Sequence, residues 1–505
     1  MLVTMSFVRK VKVGKHIYLQ EVESIWENGK SKHKYLRTIG KEVDNKKILS
    51  GEIAQSQVSR VTIYGPLLIL DEIAKQIKLP EVLGEYSPEI LSMVYSHCVD
   101  PRSLNKMQEW FERTELNHLL NLNELTERRL VDSLNYMDSD DRNEILQNKI
   151  FNIVNSKYQL KKNSFFYDVT NIYFFGSNCK IAKRSKSKEG GFRRLVQIGL
   201  AVTDEGIPVF HKTFSGNVFD ARTLFDVMKN LSFAGIQTPF LIWDRGVSSK
   251  INISDAKKLG FEVICGLANK GNLPNEVDVA LTKSRLISPS NRVQLKESSF
   301  YVSVKNYKFE DVTGYLYICL NPKQQVEQRE KRLKNIFEAK ILLQKKKQID
   351  ESMKKYFSKK GSVLEKKIEE VAKYDGVSII FSTKKLAVQE VIRKYFDKDT
   401  VEKAFACLKG VIKVRPVRNW IAGRVKAHIF ICYLSYLLLS ILDYKLKLKN
   451  VKVTSIEALD QLETMYKIYL NDPKNGNEFV KTVMLTKMQE NILKSINKNL
   501  IKPSN

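Results

Sequence analysis

Cysteine is sparse in this sequence and nowhere paired. The six cysteines, at 98, 179, 265, 319, 407 and 432, form no C-x-x-C spacing. That argues against a zinc site and against a disulfide framework, and it fits a reducing cytoplasm. Long apolar runs are also missing. The longest, IFICYLSYLLLSIL at 429–442, has 14 residues, short of the roughly 18 that cross a bilayer. A buried core helix is the expected outcome, with no membrane partner. The N-terminus MLVTMSFVRKVKVGKHIYL lacks the order of charge, apolar run and small residues that marks a secretory leader. No internal repeat is evident. Acid is the other shortage: 56 Asp and Glu stand against 84 Lys and Arg, a formal charge of +28.

What is present is a chain of 505 residues, 43% hydrophobic, long enough for two to four folded units with real cores. The charge is uneven. Residues 1–60 carry a net +6 and residues 61–160 a net −6, so the rest of the chain carries +28 by itself. Basic character therefore lies on the body of the protein and not on a detachable tail. The favoured partner is a polyanion, nucleic acid before an anionic membrane surface.

Periodicity divides the chain. Residues 1–60 read as a β-hairpin region, with Asn28-Gly29 as a turn. Residues 61–160 show apolar steps of three and four and read as helical, with a helix start near Pro101 and Ser103; this is either a DNA-binding domain or a helical scaffold. From 164 the pattern changes to strands. SFFYDVTNIYFF, RLVQIGLAVT and GIPVFHKTF form a meander. Then come a helix closed by Gly235, the strand PFLIWD, the helix SDAKKLG and the strand FEVICGLA. This order is that of an α/β, ribonuclease-H-like core, placed at 161–268. Residues 269–375 read as an insertion, first short strands and then charged helix. The core resumes at 376–445 with a strand and a helix over 386–410, and 446–505 reads as a lysine-rich helical tail.

Three acids stand out by context. Asp168 lies mid-strand among apolar residues, where a carboxylate is costly unless paired or metal-bound. Asp244 ends a short buried strand, where open α/β sheets place their sites. Glu402 lies on the 386–410 helix. Three carboxylates are hard oxygen ligands suited to Mg²⁺ or Mn²⁺, and two such ions serve phosphoryl transfer. On one continuous helix Tyr395, Lys398, Glu402 and Lys409 would fall within an arc of about 60°. That stripe could grip a phosphodiester, with Tyr395 bonding a phosphate or stacking on a base.

The placement resembles the DDE transposases of bacterial insertion sequences, and more narrowly the cut-and-paste group called the "insertion sequence four" family. That family carries its last acid in Tyr-x2-Arg-x3-Glu-x6-Lys. Here the spacing is Tyr395, Lys398, Glu402, Lys409, with lysine in place of arginine. WDRGVSSK is similar to the family's Asp-Arg-Gly-Phe-Ser, and GIPVFHKTFSGNVFDARTL, 206–224, resembles its Gly-Asn-x-x-Asp segment. A strand-rich insertion before the last acid is also a family trait. The resemblance spans about 160–445. It implies Asp168, Asp244 and Glu402 as catalytic metal ligands for two Mg²⁺ or Mn²⁺ ions, cleavage and strand transfer of transposon ends through a hairpin intermediate, and insertion into target DNA. It also implies two chains meeting on DNA through their C-terminal helices, in a bacterial cytoplasm at the nucleoid.

Further candidate DNA contacts are Arg245, beside Asp244, and Arg415 and Arg418 in VRPVRNWIAGRVKAH, with Arg424 beyond them. The basic loop 177–194 either tracks DNA backbone or is simply solvated. His211, His428 and Trp243 are expected to pack, and Trp420 either packs or stacks on a base. Two rival readings remain: a ribonuclease-H-like nuclease that does not join strands, and an inactive DNA-binding relic.

Overall fold

The computed structural model describes residues 6–501 apart from 14–15, 28–29, 44–45, 50–56, 162, 177, 189, 234–238, 283–285, 296, 418 and 472–477. The turn at Asn28-Gly29, the helix end at Gly235 and Arg418 lie outside the described residues. The chain forms two compact units. One comprises 1–72, 106–125 and 446–505, and the other 73–105 and 126–445.

The first unit joins the two ends of the chain. Strands Ser6–Val13, His16–Glu27, Lys30–Val43 and Lys46–Leu49 form an antiparallel sheet in chain order. A second sheet has the order Glu478–Thr482, Tyr466–Asn471, Gln57–Ile63. The expected helical tail is therefore only partly helical. Its helices are Ser455–Leu462 and Lys487–Ile496, each opened by a capping box at Thr454 or Thr486. Between them YKIYLN alternates like a strand and pairs with residues some 400 positions earlier, a partner that no local pattern discloses. The helical region expected at 61–160 is likewise shared between the two units.

The second unit is mixed α/β around one large sheet. Its central strands Ser164–Tyr173, Phe240–Trp243 and Glu262–Gly266 are mutually parallel. On one side Phe192–Thr203 pairs antiparallel with Ser164–Tyr173, and both Lys183–Lys186 and Pro208–Ser215 pair with it. On the other side follow Val377–Ser382, Val312–Leu320, Ser298–Phe309 and Arg292–Leu295, all antiparallel. The strands of the insertion thus extend the main sheet. They dock through Val377–Ser382, all six of whose residues pair with Val312–Leu320 while Ile380, Phe381 and Ser382 also pair with Glu262–Gly266. What stands apart is the charged helical part, Pro322–Gln344, Glu351–Lys354 and Glu365–Ala372, with a small core of Ile336, Ala339, Tyr356 and Phe357. A helix at Leu273–Thr282 occupies a stretch that reads as strand.

The apolar run at 429–442 lies in the helix Ala422–Leu448, which is 27 residues long. It is long and apolar enough to cross a membrane, and its apolar stretch is almost wholly buried inside the protein. Tyr433 and Tyr436 on it donate to the carbonyls of Val209 and Gly206, at 3.2 and 2.9 Å, clamping it to the strands of the meander. All six cysteines are free thiols.

Candidate functional site

Register brings the first two acids together. Phe240–Trp243 pairs with Ser164–Tyr173 so that Trp243 faces Tyr167. One step on, the short strand ends at Asp244 while the longer one continues through Asp168. Neighbouring strands are about 4.8 Å apart, so both carboxylates lie side by side toward the carboxyl ends of the parallel strands, where open α/β sheets place their sites. Trp243 is fully buried and fixes this end. Its Nε1 donates to Ser248 Oγ at 2.9 Å, and Ser248 donates to the Gly266 carbonyl at 2.5 Å.

The third acid arrives by way of a broken helix. The continuous helix expected over 386–410 is two, Val388–Phe396 and Asp399–Gly410, separated by Asp397 and Lys398. At the break the amides of Thr400 and Val401 reach back three residues, to Asp397 and Lys398, both at 3.0 Å. The one-face arc is therefore not the cause of the grouping, because Asp-Lys-Asp yields to a tighter turn. Lys398 nevertheless lies at the centre of the group. Its Nζ is 3.5 Å from Asp244 Oδ2 and 3.4 Å from Glu402 Oε1. Those two oxygens share one ammonium. Glu402 is more than half exposed, in the first turn of the second helix.

Tyr395 has a different part from the one expected. Its ring is buried and its hydroxyl donates to Asp244 Oδ1 at 2.8 Å, so it cannot stack on a base. Gly266 permits this contact, since a β-carbon there would overlap the Tyr395 hydroxyl. Burial and the facing Asp244 both raise the Tyr395 pKa, which keeps the phenol a donor. Burial also works to raise Asp244, but Lys398, the Arg245 backbone N–H and Tyr395 outweigh it and hold this carboxyl below its usual range. Asp168 goes the other way. Burial pushes it up, and the charge of Lys188 only partly opposes that.

Lys188 and Asp220 are residues that sequence reasoning did not single out. Lys188 Nζ lies 3.3 Å from Asp220 Oδ2 and 4.0 Å from Asp168 Oδ1. Each had a faint signal, Lys188 in the basic loop and Asp220 in the Gly-Asn-x-x-Asp segment, but nothing local says that they meet. Arg245 is exposed in the turn after Asp244. Lys409 is half-buried in the last turn of its helix, about two turns beyond Glu402. Arg415 lies over the ring of Tyr173, 5.0 Å from its centroid, with Arg193 at 4.6 Å. Arg424 is occupied by Asn135. Trp420 does not pack: it is 68% exposed, and so are Phe175, Phe192 and Phe219 to a similar degree.

His97, His211 and His428 pack within the fold. His211 stacks on Phe430 and Tyr433 and bonds Gln147. His97, His428 and Cys432 lie close enough to share an ion, with ligand atoms within 4.8 Å of one another. However, His97 Nδ1 already meets the Ile412 carbonyl at 2.7 Å and His428 Nε2 the Val414 carbonyl at 3.1 Å. Two satisfied imidazoles packed edge to face account for that group.

Searched against known protein families and curated proteins, the chain matches none.

Proposed function

We propose that this protein is a DNA transposase of the DDE type, with a ribonuclease-H-like core and with Asp168, Asp244 and Glu402 as its catalytic acids. The observation that carries the reading is that the Lys398 ammonium joins Asp244 and Glu402, from distant parts of the chain, while strand register sets Asp168 beside Asp244. A carboxylate group that already encloses an ammonium is fitted to cations. Its donors are all hard oxygens, which suits Mg²⁺ or Mn²⁺.

Two such ions, when bound, would sharpen the attacking oxygen and stabilise the leaving one. The chain's own residues supply the rest. Asp168, Asp244 and Glu402 would hold the ions. Tyr395 and the Arg245 backbone N–H fix the rotation of Asp244. Lys398 sits where a phosphate oxygen would approach, and Arg245 lies exposed beside it. Water attacks a phosphorus at the element's end, and one P–O bond breaks to free a 3′-hydroxyl. That hydroxyl then attacks a second phosphodiester, making one bond and breaking one. The net charge of +28 and the exposed Trp420, Phe175, Phe192 and Phe219 support DNA as the partner, and the resemblance implies double-stranded transposon end and target held by two chains.

The test is incubation of the protein with DNA carrying the element's ends and Mg²⁺ or Mn²⁺. Joined products support the proposal. Cut but unjoined products favour a nuclease, and a mobility shift without cutting indicates an inactive binder.

A further inference from the structure

Lys188 sits at the tip of the hairpin between Lys183–Lys186 and Phe192–Thr203. The tip is closed by the Ser187 amide on the Gly191 carbonyl at 2.8 Å and the Gly190 amide on the Ser187 carbonyl at 3.1 Å. Gly190 and Gly191 have φ of 99° and 74°, a region that favours glycine. From this tip the Lys188 ammonium reaches three oxygens: Asp220 Oδ2, Asp168 Oδ1 and the Val169 carbonyl, to which it donates. Beside them Gln197 is buried. Its Nε2 meets Asp220 Oδ1 at 3.5 Å, while its Oε1 is enclosed without a hydrogen-bond partner. A buried amide oxygen with no donor is costly until a donor or a cation comes to it.

From this arrangement we infer that Lys188 is an internal cation, filling the space between Asp168 and Asp220 that a divalent ion takes, so that the hairpin tip must withdraw before the ion enters. The inference rests on Asp168 being a metal ligand. Asp220, with the Val169 carbonyl, then completes an oxygen set that Asp168 alone cannot provide. The withdrawn ammonium joins Lys183, Arg184, Lys186, Arg193 and Arg194, which are exposed on the same hairpin or partly so. There a DNA phosphate replaces the two carboxylates as its counter-charge. DNA and the divalent ion favour the same open state, and by reciprocity each tightens the other. The ion-free, DNA-free protein holds its own site shut.

The experiment is calorimetric titration of the ion-free full chain with Mn²⁺, with and without duplex DNA, after circular dichroism has checked each variant's fold. Lys188→Met keeps the apolar stem and removes the charge. It is expected to bind Mn²⁺ roughly 5- to 150-fold more tightly than wild type, the usual range for coupled equilibria, and to gain less from DNA. Lys183→Met removes a charge from the same hairpin away from the acids and is expected to change little. Lys188→Gln serves if the methionine variant misfolds. An equal gain in Lys183→Met would overturn the inference, because general charge would then explain it. No gain in Lys188→Met, while wild-type binding is still lost in Asp168→Asn, would overturn it and leave the ion site standing. If neither wild type nor Lys188→Met binds Mn²⁺, the ion site falls and the inference with it.

Discussion

Glu115 and the acid group around Lys398 show two ways of housing carboxylates in one chain. Glu115, in the unit that joins the chain ends, is wholly buried. It accepts from Thr62 Oγ1 and from Tyr469 at 2.8 and 3.0 Å, with Lys467 at 3.3 Å and His118 Nδ1 at 3.2 Å. Burial alone would raise its pKa, but these donors hold it below the usual range. Both of its oxygens are engaged by the protein's own donors. Asp168, Asp244 and Glu402 meet two lysines at 3.4 to 4.0 Å, with Tyr395 bonding Asp244, and each keeps part of its surface exposed. A structural acid is closed by the protein's own donors. An acid that takes a ligand is left with exchangeable partners.

This contrast can be broken by substitution, and the largest effect belongs to the open group. Asp168→Asn, Asp244→Asn and Glu402→Gln are each expected to lower cleavage of end-containing DNA by on the order of 10³-fold or more. Melting temperature should stay level or rise for Asp168→Asn, whose charge burial disfavours, and fall slightly for Asp244→Asn, whose charge Lys398 and Tyr395 stabilise. A calorimetric scan beside the cleavage assay checks both halves. Glu115→Ala should do the reverse. It strands Lys467 and two hydroxyls in a closed site and is expected to cost about 3–5 kcal/mol in denaturant unfolding, and an unchanged midpoint would show that Glu115 is not the closed acid described.

Smaller effects sharpen the boundary between site and scaffold. Gly266→Ala pushes the Tyr395 hydroxyl off Asp244 and is expected to weaken Mn²⁺ binding roughly 10- to 100-fold, as loss of a ligand's supporting bond does. Tyr395→Phe should reproduce most of that loss without backbone strain. The closed interior also sets the pH behaviour. Burial depresses His97 to about 4 and His211 to about 3, from an ordinary 6.5. Folded, they bind fewer protons than unfolded below pH 6.5. Their contribution is complete above that value and is lost as pH falls toward 4, by up to about 1.4 kcal/mol per pH unit for each. Urea unfolding between pH 7 and 4 reads this slope, and His211→Gln should flatten it.

The strands and helices from 164 to 266 were legible because their period and burial agree: Asp168 and Asp244 announce themselves as acids in apolar strands. Glu402 was legible from spacing, although the helix carrying it breaks at Asp397–Lys398. A propensity pattern across Asp-Lys-Asp cannot separate a kink from a continuation. Tyr395 looked like a surface ligand because its neighbours are charged, and only the approach of Gly266 from another strand shows that it faces inward. The pairing of Tyr466–Asn471 with Gln57–Ile63 and the docking of the inserted strands on Val377–Ser382 depend on contacts far along the chain, which local alternation does not encode. Trp420 illustrates the same limit. Among arginines in sequence it reads as either a packing or a base-stacking residue, and it stands exposed.

The central claim is that three acids distant in sequence make one ion site. The most direct measurement is Mn²⁺ uptake by the DNA-bound protein, counted from the loss of the free-ion signal in electron paramagnetic resonance. The account predicts two ions per chain in wild type and fewer in each of Asp168→Asn, Asp244→Asn and Glu402→Gln, with the folds intact. Uptake that is the same in wild type and all three variants would contradict it.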